Sequence, residues 1–283
     1  MDWTSGLPTS DFRTSDFDFN EYKEYMDEFD AVCWFGGSFA PPTIAHIDIA
    51  IAIGVRLYQL SGKQRCGVLI TPVSPGYAKA SVQSIERHHP GFRGVMIQEF
   101  LKLIYQRAHD IAEVREGKVV FRLETHELES PLPVPTYSSL LTIKTKYGLP
   151  ADRVYIAQGQ DNIETGIFTR QWVRSDLLLN HSFLIYLRGK SDNFKVALTT
   201  SNSNEKMAPL TQNDADIVLS RCHILSNETY AQFDDNISSS MARTIIHKIT
   251  TCTATEEDLS RYMYPELIKM LHPLVVGCPY STE

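Results

Sequence analysis

The stretch Cys33-Trp34-Phe35-Gly36-Gly37-Ser38-Phe39-Ala40-Pro41-Pro42-Thr43-Ile44-Ala45-His46 most limits what this chain can fold into. It starts in an apolar run, Ala31 to Phe35, that reads as a buried strand, and two glycines then break it. The two prolines forbid a continued strand. From Thr43 an apolar period through Ile49, Ile53 and Leu57 reads as a helix. Strand, glycine turn and helix start, in that order, make a place to put phosphate. Glycine lets the backbone approach the ligand, and the N–H groups of the first helical turn point at it. A His in that turn can donate to a phosphate oxygen, and Thr43, three residues before His46, shares its face.

The alternation recurs down the chain. Cys66 to Val73 reads as a second strand, ending in Ser74-Pro75-Gly76-Tyr77-Ala78-Lys79. A helix over 91–107 carries Val95, Ile97, Phe100, Leu101 and Ile104 on its apolar side. Val119 to Leu123 is a third strand, and a helix opened by Thr136 or Ser138 runs to Tyr147. Val154 to Ala157 leads into Gln158-Gly159-Gln160-Asp161, Phe183 to Tyr186 into Leu187-Arg188-Gly189, and Cys222 to Leu225 is a sixth strand. The polar segment from Ser191 to Asp216 reads as an exposed loop or a short helical excursion.

Strand, helix, strand asks for right-handed crossovers and a parallel sheet. The predicted class is α/β: a Rossmann-like parallel sheet with helices on both faces and a helical C-terminal piece. The helix from Glu256 to Leu271 is expected to stop at Pro273. Residues 1–30, acidic and dotted with aromatics, read as a leader. Residues 31–283 read as one domain, with 238–274 its helical subregion.

Charge and cysteines exclude several classes. A net charge of −7 over 283 residues argues against broad nucleic-acid binding, which needs a basic surface, yet a nucleotide site needs only a few local cations. No run approaches the ~20 apolar residues of a membrane span, and the acidic N-terminus does not read as a signal peptide. The five cysteines are far apart, with no C-x-x-C. Neither a disulfide frame nor a zinc site is expected, which fits a reducing, intracellular compartment, cytoplasmic or nuclear.

Gly37, Phe39, Pro41, Thr43 and His46 resemble the nucleotidyltransferase-superfamily signature G-x-F-x-P-x-[HT]-x-x-H. Ile237-Ser238-Ser239-Ser240-x-x-Arg243 resembles the second signature, I-S-S-T-x-x-R, with Ser240 in place of threonine. Within the superfamily the chain is similar to the nicotinamide/nicotinate mononucleotide adenylyltransferases over Val32 to Leu274. Thr71-Pro72-Val73 with Tyr77 and Lys79 looks like that family's S-P-V-x-x-x-Y-x-K, and Arg93 with Met96 like its H-R-x-x-M helix. Gly159, Asp161 and Trp172 look like its G-A-D and following tryptophan, and Arg188-Gly189 like its R-x-G. Gln160 replaces the usual Ala and Ala40 the usual Asn. Pro133 stands where the eukaryotic W-x-x-T has its Trp, leaving Thr136, and Thr136-Tyr137 is closer to the S/T-Y of bacterial members.

The resemblance implies joining of ATP and a nicotinamide or nicotinate mononucleotide to give NAD or deamido-NAD and pyrophosphate, in NAD biosynthesis. It implies ATP contacts from Gly37, Ser38, Phe39, Thr43, His46, Ser238, Ser239 and Arg243. The mononucleotide would meet Tyr77, Lys79, Thr136, Gly159, Asp161, Trp172 and Arg188. His46, Arg243 and Lys79 would carry the chemistry, with Mg²⁺ arriving on ATP and no metal held by the protein alone. His126 and Glu127 are candidates to line the pocket but are not counted among the site residues. The other readings are a nucleotidyltransferase for phosphopantetheine or an alcohol phosphate, and a non-catalytic, chaperone-like nucleotide binder. Partners are expected to be small molecules, not nucleic acid or membrane. Amide against acid, and self-association into a homo-oligomer, stay open at this point.

Overall fold

Six parallel strands lie in the order β3-β2-β1-β4-β5-β6. They are β1 Ala31–Gly37, β2 Cys66–Pro72, β3 Val119–Leu123, β4 Val154–Gly159, β5 Ser182–Tyr186 and β6 Cys222–Ile224. The computed structural model describes residues 28–77, 82, 91–162, 180–187, 212–225 and 237–275. The helices used below are α1 Ile44–Leu60, α2 Phe92–Arg107, α3 Thr136–Tyr147, α4 Gln212–Ser220, α5 Ser239–Thr250 and α6 Pro265–Val275.

Alternation along β1 decides how the layers form. Ala31, Cys33 and Phe35 face one core, with Ile47 and Ile53 of α1, Phe100 and Ile104 of α2, and Leu267 and Leu271 of α6. Val32 and Trp34 face the other, with Leu140 and Ile143 of α3 and Val218 of α4. Helices therefore cover both faces, as the sequence predicts; β2 and β4 are buried along their whole length, while the edge strand β6 is partly exposed. The C-terminal piece, α5 and α6, joins the α1 side. Strand order reverses between β1 and β4, and in such sheets ligands bind beyond the strand ends at that point. Gly37 ends β1 and Gly159 ends β4, so both stand at the reversal.

Three expectations need correction. Val95 is 51% exposed: the buried stripe of α2 runs through Met96, Ile97, Phe100, Leu101 and Ile104, one position off. Pro273 does not stop the last helix, which continues to Val275. Its missing N–H leaves one carbonyl without an intrahelical donor, a local loss that the buried Leu267, Ile268 and Leu271 outweigh. Cys33, Cys66 and Cys222 are free thiols, but Cys252 is disulfide-bonded, so the cysteines are not all reduced as expected. Of the polar segment from Ser191, only Gln212 onward is described, and it is helical.

Candidate functional site

The glycine turn is held by its own phenylalanine. Phe39 is fully buried at φ 41°, a left-handed backbone that a bulky residue seldom adopts. Its ring lies 5.5 Å from Phe35, 5.6 Å from Phe100 and 5.3 Å from His46, centroid to centroid. With the side chain in the core, Phe39 offers a ligand only its backbone. Gly36 is required here, since a Cβ would sit 2.1 Å from the Trp34 ring. The Gly37 carbonyl accepts from the Val73 N–H at 2.9 Å, which ties the turn after β1 to the turn after β2.

Thr43 caps α1, and His46 closes a reciprocal cap in the place where Glu or Gln is usual. The Thr43 N–H donates to His46 Nδ1 at 3.1 Å, and Thr43 Oγ1 lies 2.6 Å from the same nitrogen. Nδ1 is thus an acceptor, and the neutral ring carries its proton on Nε2. The half-buried imidazole is oriented by the sequence spacing itself. The expectation that the first helical N–H groups face a ligand fails at Ile44, whose N–H donates to the Tyr262 carbonyl at 2.9 Å.

The second turn docks on the first. Arg243 Nη1 donates to the Ala40 carbonyl at 2.7 Å across 203 positions of sequence, and Nη2 to Ser240 Oγ at 2.9 Å. Ser239 Oγ donates to the Pro41 carbonyl at 2.8 Å. Ser238 is the N-cap of α5, its hydroxyl accepting from the Met241 N–H at 3.3 Å. Burial lowers the Arg243 pKa from the usual arginine value. Both hydrogen-bonded ends of its fork are engaged within the protein, but a guanidinium has five N–H donors to distribute. Arg243 and Ser239 therefore hold the start of the segment 40–46, which ends in His46.

Residues expected on the mononucleotide side come from several strand ends. Tyr77 is 41% exposed, and its N–H donates to the Ser74 carbonyl at 3.1 Å. Gly76 lets this turn press on the next loop, since a Cβ there would sit 2.2 Å from the Pro131 oxygen. Thr136 opens α3, half-buried, and Gly159 ends β4, buried. Asp161 lies in the single helical turn Gln160–Asn162 that follows. Lys79, Trp172 and Arg188 lie outside the described residues.

A second group at this rim was not counted among the expected site residues. Arg93, at the start of α2 and fully buried, donates Nη1 to the Ser38 carbonyl at 3.1 Å and Nη2 to the Val73 carbonyl at 2.6 Å. Glu127, buried in the loop after β3, is within reach of the Ser139 and Trp34 side chains and the Arg93 charge. Burial nevertheless prevails and pushes its pKa to about 7. Glu127 Oε1, Ser74 Oγ and His126 Nδ1 are buried without a hydrogen-bond partner. Ser139 joins the group, receiving Trp34 Nε1–H at 3.1 Å and lying 2.7 Å from His126 Nε2. Next to it, Glu124 takes Lys146 Nζ at 2.7 Å and the Tyr147 hydroxyl, with Arg122 Nε at 3.6 Å. The one sequence signal was the carboxylate and imidazole directly after a strand end, where a parallel sheet places its ligands.

Among the described residues no three His, Cys, Asp or Glu side chains cluster as a metal site, and no helix is long and apolar enough to cross a membrane. Neither any protein-family model nor any curated protein matches this chain.

Proposed function

We propose that the protein transfers an adenylyl group from ATP to the 5′-phosphate of nicotinamide or nicotinate mononucleotide. One observation carries the proposal: Arg243 bonds the Ala40 carbonyl, so the two signature turns work on a single segment at the sheet's reversal point. An acceptor phosphate oxygen attacks the α-phosphorus, a new P–O bond forms, and the bond to the β-phosphate breaks with its electron pair leaving on pyrophosphate. No enzyme nucleophile is needed, so catalysis is positioning plus stabilisation of charge growing on phosphoryl oxygens. His46 Nε2–H donates to the α-phosphate, and Thr43 holds the ring for that task. Arg243, with the Ser238 and Ser239 turn, neutralises the leaving phosphates. Ser38 and Gly37 supply backbone to the triphosphate. Lys79 meets the acceptor phosphate. Tyr77, Thr136, Gly159, Asp161, Trp172 and Arg188 enclose the rest of the mononucleotide. Mg²⁺ would be carried in by ATP and would supply charge neutralisation at the phosphates.

The test is pyrophosphate release from Mg²⁺-ATP with each mononucleotide, run beside phosphopantetheine as a control acceptor. Release with either mononucleotide, in step with dinucleotide formed, is the expected result. Release only with phosphopantetheine would move the protein to another acceptor, and ATP binding without release on any acceptor would make it a binder.

A further inference from the structure

Trp34 lies in β1 just before the glycine turn, and its indole is buried among apolar side chains. A buried indole N–H is costly without an acceptor. It finds one 105 positions away: Trp34 Nε1–H donates to Ser139 Oγ at 3.1 Å. Ser139 is a fully buried residue of α3, next to the core residue Leu140. Serine is a mediocre helix former, so neither packing nor propensity accounts for it there. Its bonds do. The same oxygen lies 2.7 Å from His126 Nε2, in the loop after β3. One hydroxyl thus joins β1, α3 and that loop. The far end of α3 is fastened to the end of β3 as well, since Glu124 accepts from Lys146 Nζ at 2.7 Å and from the Tyr147 hydroxyl. His126 Nδ1 lies 4.0 Å from Glu124 Oε2, so Glu124, His126 and Ser139 stand in the order acid, imidazole, hydroxyl of a hydrolase relay. Ser139 is 0% exposed and its oxygen already accepts from the indole, so it reaches no substrate and is not a nucleophile.

We infer that Ser139 is a positioning residue: its hydroxyl fixes the start of α3, and with it Thr136, against the strand that carries the glycine turn. Thr136 stands one turn before Ser139 on the same helix, and Gly37 ends the strand that holds Trp34. The inference rests on the adenylyl-transfer reading for its kinetic consequence, because that reading puts ATP at the Gly37 turn and the mononucleotide at Thr136. The bonds themselves do not depend on it.

Three variants of the full chain take the junction apart. Ser139→Ala deletes one oxygen and with it both bonds, Trp34→Phe deletes the bond to β1, and His126→Ala deletes the bond to the loop. The first measurement is the Trp34 indole proton in NMR without substrate, assigned by its loss in Trp34→Phe. Loss of the hydrogen bond is expected to move it upfield in Ser139→Ala, and an unmoved signal overturns the tie. The second measurement pairs kcat for the mononucleotide with the Kd and stoichiometry of Mg²⁺-ATP binding. Ser139→Ala is expected to lower kcat about 10–100-fold, the scale of a small misplacement of reacting groups. The Kd for ATP is expected to stay within about threefold, with the wild-type stoichiometry kept, since the deleted bonds shift the acceptor side. Wild-type kcat in a variant whose indole signal has moved overturns the positioning role. So does a fall in ATP stoichiometry large enough to account for the lost kcat, which would make Ser139 a packing residue. If Ser139→Ala does not fold, Trp34→Phe and His126→Ala carry the comparison, each with kcat expected about 3–10-fold below wild type. Wild-type kcat in both overturns the role. If the indole signal moves while the wild type turns over no mononucleotide, the tie stands and the adenylyl-transfer reading falls.

Discussion

The two ends of the strand rim are built on opposite principles. At the turns that open α1 and α5, three polar groups have short, specific partners: His46 with Thr43, Arg243 with Ala40, Ser239 with Pro41. Around β2, β3 and α3 the charges are more deeply buried and incompletely matched, with Glu127, Ser74 and His126 each leaving an atom without a partner. The first end joins one local pair, Thr43 with His46, to two bonds that cross 198 and 203 positions of sequence, and these polar groups are partnered before any ligand arrives. The second holds unspent polar capacity in a dry place, where each unmatched atom is costly. That contrast teaches where catalysis and where tuning should reside: fixed donors at the first end, a proton-sensitive adjustment at the second.

The largest effect is expected at the first end. His46→Ala should lower the adenylyl-transfer rate about 10²–10⁴-fold, the range for losing a preorganised donor to developing charge, with the fold intact by circular dichroism. Turnover equal to wild type would remove His46 from the chemistry and break the contrast.

Next comes the pH dependence of stability at the tuned end. The native Glu127 pKa, about 7, lies above its ordinary 4.5. Between those values the native state binds a proton that the unfolded chain has released, so stability falls as pH rises through this window. In denaturant titrations the loss is expected to reach at most about 3 kcal/mol above pH 7, relative to Glu127→Gln measured at the same pH. A constant difference between the two proteins from pH 4.5 to 7.5 would show that the carboxyl is not held neutral by its surroundings.

A smaller effect belongs to the bond between Trp34 and Ser139. Trp34→Phe removes a donor but leaves Ser139 within reach of His126, so a loss of about 1–2 kcal/mol in urea unfolding is expected, from packing and the bond together. A loss above about 4 kcal/mol would mean that the second end is a structural keystone. The smallest is Val95→Ser on the exposed side of α2, within about 0.5 kcal/mol of wild type. A larger loss would restore the apolar face that the sequence pattern suggested.

The same contrast explains what could be read in advance. The sheet was legible because β1 to β5 centre on runs of buried apolar residues, and alternation with helices leaves few ways to connect them. Thr43 and His46 were legible because three residues on a helix start is a local distance. That the Ser238 to Arg243 turn and the Gly37 turn serve one ligand was expected only from the resemblance, and the bonds of Ser239 and Arg243 to Pro41 and Ala40 are seen only in the structure. Arg93 was legible only as part of the H-R-x-x-M resemblance and Glu127 only as a candidate pocket residue after a strand, since neither position marks a buried charge. Their meaning comes from burial, a property of the folded chain. Val95 and Pro273 failed for the same reason, since tertiary packing overrode a local pattern by one position in α2 and outweighed a local breaker in α6.

The claim on which everything depends is that the turn at Ser238 to Arg243 and the turn at Gly37 to His46 hold one triphosphate between them. The most direct measurement is kcat/KM for ATP in Arg243→Ala, with folding verified by thermal unfolding. A fall of about 10²-fold or more is expected, as for loss of a cation from a transferring phosphoryl group. A value within threefold of wild type would contradict it, leaving Arg243 as a bolt between α5 and the Ala40 loop and nothing more.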